Sequence, residues 1–292
     1  MNAFTIKDLE NISGIKAHTI RIWEQRYSLL SPQRTDTNIR YYSNGELKTI
    51  LNIALLNKYG YKISEIDKMS PEIMKDKILS LSQVQAQQDL LVNALISDMV
   101  DMDTDSFEQK IDAYINTKGI EKAIIQIIFP FLERIGILWV TNHVNPGQEH
   151  LVTNIIRQKL IVGIETLVPA ISSPQTALLF LPEGEHHELG ILFTYFLLKS
   201  QGVKVIYAGA NLPVKDIQFI ANFKKPSFLY THLTSVASNF VFEKFLDNIQ
   251  QKLPEFTVII TGSITQNFNK NLPNNINLKR SLSEMMKYIQ SI

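Results

Sequence analysis

The chain has 292 residues, of which 45% are hydrophobic and 20% charged, and its net charge is +1. That length supports two or three domains with cores of their own, and the near-neutral balance gives no global attraction for nucleic acid. Cysteine is absent, which excludes disulfides, zinc–thiolate sites and a cysteine nucleophile. No stretch reaches the length of a membrane span and the first thirty residues lack the apolar core of a signal peptide, so the expectation is a cytoplasmic protein without a membrane partner.

Charge is uneven along the chain. Residues 1–70 carry ten Lys/Arg against seven Asp/Glu, with Arg21, Arg26, Arg34 and Arg40 close together. Thr5 to Ile12 places apolar residues at helical spacing behind a threonine N-cap, and Ser13-Gly14 interrupts it. Lys16 to Tyr27 forms a second helix that packs through Ile20 and Trp23. Two short helices joined at a glycine are a helix-turn-helix pattern, with Lys16, His18, Thr19 and Arg21 offered to a major groove. Leu29-Leu30-Ser31-Pro32 ends the helix, and Gln33 to Tyr42 makes a small β wing whose Arg34, Arg40 and Tyr41 suit phosphate and sugar contacts.

The residues Thr19-Ile-Arg-Ile-Trp-Glu-Gln-Arg-Tyr27, then Leu29-Leu30 with Pro32 and Arg34, then Arg40-Tyr41-Tyr42-Ser43, resemble the winged-helix DNA-binding domain of the MerR family over residues 4 to about 70. Many relatives carry glycines at the wing tip, where this chain has Thr35-Asp36-Thr37-Asn38; Asp and Asn tolerate turn geometry, so the wing is expected to persist. The resemblance implies double-stranded operator DNA as partner, with Arg21 and Arg26 on the recognition helix and Arg34, Arg40 and Tyr41 in the wing.

Amphipathic helices follow at 43–59 and 62–69. Ser70-Pro71 and the polar stretch after it read as a hinge. Residues 80–100 are helical in pattern but show no sustained heptads, so a dimer is expected to form elsewhere. Segments 84–99, 104–116, 119–138 and 148–166 predict a four-helix bundle. Pro130 is expected to kink or split the third segment. Trp139 ends that segment, and Glu149-His150 starts the next, after nine intervening residues. Singly, the tryptophan reads as core, the glutamate as a helix N-terminal charge and the histidine as a polar contact.

The last third alternates strands and helices, predicting a doubly wound parallel sheet of flavodoxin-like type with helices on both faces. The apolar run Thr176 to Pro182 is its first strand, and Glu185-His186-His187-Glu188-Leu189-Gly190 follows at that strand's carboxyl end, where ligands bind in such sheets. Gly190 leaves room for a large ligand to approach the backbone, and Glu185 can orient an imidazole toward a metal. Later strands end at Thr231-His232-Leu233 and at Gly262-Ser263.

Glu185-x-His187-x-x-Gly190, Thr231-x-Leu233 and Gly262-Ser263, in that order, resemble the Asp-x-His-x-x-Gly, Ser-x-Leu and Gly-Gly motifs of the cobalamin-binding fold. Ser263 stands for the second glycine and adds a side chain where the cofactor's nucleotide tail passes. Trp139 with Glu149-His150 resembles the helical cap of CarH/LitR-type light-responsive regulators. The resemblance implies three domains: a winged helix over 1–72, a helical cobalamin cap over 80–170 and a Rossmann-like cobalamin-binding domain over 174–292. It further implies His187 as the lower axial ligand of cobalt, Trp139 and Glu149 against an upper-face adenosyl group, and His150 as the upper ligand after light. The cofactor is then adenosylcobalamin, with methylcobalamin as the other candidate. The function is a light-responsive repressor that binds operator DNA as a homo-oligomer, dimer or tetramer, and is not an enzyme. Two alternatives stay open: a regulator whose sensor domain takes another ligand or a protein partner, and a corrinoid-carrying methyl-transfer protein.

Overall fold

A computed structural model describes residues 4–140, 145–234 and 240–292, without the side chains of residues 137–140. It divides into two compact units, residues 1–155 and 156–292.

The first unit opens with α1 (Ile6–Ser13) and α2 (Ala17–Arg26). The Thr5 hydroxyl accepts from the Asp8 amide while Asp8 accepts from the Thr5 amide, a reciprocal cap; Gly14, at φ 74°, ends α1 in a left-handed turn. The wing is β1 (Gln33–Arg34) paired antiparallel with β2 (Arg40–Tyr41). Asn38 takes φ 63° at its tip, so an asparagine does here what glycine does elsewhere. Then come α3 (Asn44–Lys58), α4 (Ile63–Ile66) and α5 (Pro71–Leu79). The expected hinge is therefore a helix. Ser70 caps it, Pro71 sits in the first turn where its missing N–H costs nothing, and Met74 and Ile78 are buried.

The bundle comprises α6 (Val84–Asp101), α7 (Thr104–Lys118), α8 (Ile120–Ala123), a π turn (Ile124–Ile128), α9 (Phe129–Val140) and α10 (Pro146–Thr166), the last crossing the division between the units. The break expected at Pro130 is instead the π turn just before it. A proline ring clashes with the carbonyl four residues back, and the wider turn displaces that carbonyl without ending the helix. Phe107 and Phe131 meet edge to face in the core, with centroids 5.4 Å apart.

Helix α1 packs on α9, and α3 packs on α6. Between them runs a polar seam centred on Asp89, which is 7% exposed. Its carboxylate accepts from Lys58 Nζ (2.5 Å), Tyr59 Oη (3.0 Å) and Arg134 Nη2 (3.5 Å). Arg134 Nη1 also donates to Asn93 Oδ1 (2.5 Å), and Asn93 Nδ2 donates to the Leu51 carbonyl (3.3 Å). A cavity of about 240 Å³ lies in this seam, lined by Ile12, Leu51, Leu55, Asp89, Asn93 and Arg134 among others.

The second unit is a five-stranded parallel sheet. Its strands are β3 (Thr176–Phe180), β4 (Lys204–Tyr207), β5 (Phe228–His232), β6 (Val258–Thr261) and β7 (Ile276–Leu278), in the order β4-β3-β5-β6-β7. This is the flavodoxin-like order, in a parallel sheet of the kind that the alternation of strands and helices predicts. Leu178, Phe180, Leu229, Val258 and Ile260 face α12 (Val214–Lys224) and α13 (Phe242–Lys252). Tyr230 and Phe228 face α11 (Leu189–Ser200) and α14 (Leu282–Gln290), through Thr194 and Tyr288. Because β3 pairs with β4 on one side and β5 on the other, the chain reverses its winding at β3. The crevice of such a sheet opens there, between the carboxyl ends of β3 and β5. Among the described residues, no helix is long and apolar enough to cross a membrane.

Replacing Asp89 by Ala leaves Arg134 and Lys58 without their shared acceptor. Both cations keep some water, so the expected loss is about 1–3 kcal/mol, read as a lower urea midpoint of the full chain.

Candidate functional site

The loop after β3 is built around a buried anion. Glu185 has no exposed surface. Its Oε1 accepts from the amides of His186 and His187 (2.9 Å each) and lies 2.7 Å from His187 Nδ1. Its Oε2 accepts from the Thr234 amide (2.7 Å). One carboxylate thus fixes its own loop, orients the imidazole and ties the end of β3 to the residues after β5, across the crevice. Glu188 is held separately. Arg157 donates to its Oε2 from Nε (3.0 Å) and Nη2 (2.9 Å), and the hydroxyl of half-buried Tyr207 donates to Oε1. Burial and the Glu188 carboxylate together hold the Tyr207 phenol protonated far above its usual range.

The other motif residues converge on the same edge. Thr231 and Leu233 are fully buried, and Thr231 Oγ1 finds no hydrogen-bond partner among the described residues. Gly262 sits at φ 105° with its backbone against Leu233, where a Cβ would strike the Leu233 carbonyl. Ser263 is exposed, and its hydroxyl turns to the Thr234 carbonyl (2.7 Å). Gly190 differs from the expectation. The space beside its Cα is filled by the His232 ring, with which a Cβ would clash. The glycine makes room for an imidazole of this chain.

His232 was not legible as a site residue. Its Nδ1 lies 2.8 Å from Thr261 Oγ1, and the Thr261 hydroxyl also meets the Tyr230 hydroxyl (2.9 Å). Burial pushes the imidazole pKa down to about 4, against the opposing pull of the Glu185 charge. The sequence signal was a histidine closing the largely buried strand Phe228–His232.

Trp139, Glu149 and His150 belong to the first unit, and His187 to the second. Trp139 lies in α9, with its side chain outside the described residues. Glu149 lies in the first turn of α10, and His150 Nε2 lies 3.6 Å from Glu149 Oε2 with its side chain 69% exposed.

In the winged helix the polar residues sort into two sets. Arg40, expected to face phosphate, holds Glu24 (Nε to Oε2, 3.0 Å), and Tyr42 donates to the same carboxylate. Lys16 reaches Glu10 (3.4 Å), Tyr41 donates to Gln33 (2.5 Å) and Arg34 donates to Asn38 (2.6 Å). Thr19 is half-buried. His18, Arg21 and Arg26 are exposed. Trp23 is core, 7% exposed.

A family model described as MerR HTH family regulatory protein matches residues 4–73, and one described as B12 binding domain matches residues 91–162. The chain is a MerR-family regulator with a B12-binding domain. The HTH-type transcriptional repressor CarH of Myxococcus xanthus is 27% identical to this regulator over 267 residues, covering 89% of this chain and 88% of that protein. The repressor CarA of the same organism is 26% identical over 260 residues, covering 88% and 85%. Among solved structures, the monomethylamine corrinoid protein of Methanosarcina barkeri overlays 70% of the regulator and 100% of its own chain, at a TM-score of 0.51 and 9% identity, a likeness of fold.

Gly190→Ala is expected to cost about 1–3 kcal/mol by overpacking. Pairing it with His232→Ala should recover most of that loss, so a double-mutant cycle in urea should return a coupling of similar size.

The His232 shift also sets a pH dependence. The unfolded imidazole takes its proton near pH 6.5 and the folded one only near 4. Its contribution is therefore complete above pH 6.5 and lost as pH falls from 6.5 toward 4, at roughly 1 kcal/mol per pH unit. Urea midpoints at pH 7 and pH 5 should fall further apart for the wild type than for His232→Phe.

Proposed function

We propose that the regulator is a cobalamin-dependent, light-responsive repressor that binds operator DNA as a homo-oligomer in the cytoplasm. The observation that carries the cofactor reading is the Glu185–His187 pair at the mouth of the sheet crevice. With Nδ1 held on a buried carboxylate, the imidazole meets a metal through Nε2, and the carboxylate raises its basicity. Among the described residues no group of three His, Asp or Glu side chains is arranged to hold a metal ion. Cobalt in a corrin brings its other ligands with it, so one imidazole from the protein is enough to hold it. Thr231 Oγ1, buried without a partner among the described residues, suits a hydrogen bond to the cofactor's tail, and Ser263, turned to the Thr234 carbonyl, leaves its side chain engaged with the protein.

When bound, adenosylcobalamin supplies a cobalt–carbon bond that light breaks; methylcobalamin offers the same kind of bond with a smaller group. Trp139 and Glu149 would hold the organic group that the cofactor carries, and the exposed His150 would offer the metal a second imidazole. His18, Arg21 and Arg26 face the DNA, with Arg34 at the wing. The repressor names of the two Myxococcus relatives support repression over activation. The arrangement supports a binding switch rather than an enzyme.

The test is an absorption spectrum of the full chain mixed with adenosylcobalamin in the dark, desalted, then illuminated. The expected outcome is retained colour that shifts with light, and loss of the dark spectrum in His187→Ala. Colour that survives illumination unchanged would remove the light switch. A colourless wild type would leave a winged-helix regulator whose sensor takes another ligand or a protein partner.

A further inference from the structure

The second helix presents an exposed, uncharged side chain among its basic residues. At about 100° per residue, buried Ile20 and Trp23 mark the inner side of α2. The positions directly opposite are His18 and Gln25, seven residues and two turns apart, with Arg21 and Ile22 flanking them and Arg26 further round. Gln25 is exposed, and no hydrogen bond or ion pair engages its amide among the described residues. Its neighbour Glu24, by contrast, is held by Arg40 and Tyr42. An uncharged amide at the centre of a face flanked by two arginines adds no attraction for phosphate. It does carry a donor and an acceptor side by side, the pair that matches N7 and N6 of adenine.

Resting on the reading that this head binds operator DNA, we infer that Gln25 recognises an adenine in each half-site through the major groove. Arg21, one turn before it, lies about 6 Å back along the helix, within two base steps. The arginines hold the backbone or a neighbouring guanine, and Gln25 decides one position of the sequence.

The experiment is a binding selection from randomised duplex DNA with the full chain in its DNA-binding state, for wild type, Gln25→Ala and Gln25→Arg. One position should favour adenine in the wild type, by roughly ten- to a hundredfold over the other bases. That preference should vanish in Gln25→Ala and turn to guanine in Gln25→Arg. Because the residue is neutral, the salt dependence of binding should be unchanged in Gln25→Ala, whereas Arg26→Ala should lower its slope and weaken all sequences alike. DNA binding with the same base preferences in all three proteins would overturn this inference alone. A wild type that binds no duplex at any salt would overturn it together with the DNA-binding reading.

Discussion

Everything at the mouth of the sheet depends on one buried anion. A carboxylate without water is very costly unless its oxygens are fully engaged, and Glu185 is engaged by its own loop and by the segment after β5. Those bonds leave the loop one conformation. They also bind together two strands that are neighbours only because the winding reverses at β3. His187 gains its orientation as a by-product of satisfying that charge. Glu188, held from the other side by Arg157 and Tyr207, keeps the rest of the loop from swinging.

Much of this was legible in the residues. The Thr5 cap, the Gly14 stop and the Ile20–Trp23 stripe are local signals, so the helix-turn-helix could be read directly. The apolar run at Thr176 marked a strand, Gly190 the start of the helix after it and Gly262 a later strand end, and the sheet followed. The role of Gly190 could not be read, because its partner His232 lies 42 positions away and the contact depends on strand order. Asp89 was opaque for the same reason. It sits in a glutamine-rich helix that looks solvated, and only tertiary packing brings Lys58, Tyr59 and Arg134 to it. Pro130 announced a disturbance, but whether a helix breaks or widens around a proline is decided by what its two halves pack against.

The winged helix teaches a related point about charge. Counting arginines treats them as equivalent, yet Arg40 is directed inward by Glu24 while Arg21 and Arg26 face out. An ion pair that closes the wing onto the recognition helix positions the reading surface without touching it. Residue type proposes the chemistry, and the neighbouring carboxylates decide which copies of that type perform it.

The packing of α1 on α9 and of α3 on α6 has a consequence for how this molecule can be divided. Sequence similarity to the winged-helix family ends at residue 73, but the compact unit runs on to residue 155. A fragment cut there would lose the helices that cover α1 and α3 and present apolar side chains to water, the kind of surface that drives self-association. The DNA-reading head is thus not a portable module joined by a string. Its helices α1 and α3 rest on the bundle, so a change that opened the bundle would uncover the underside of the part that reads the DNA.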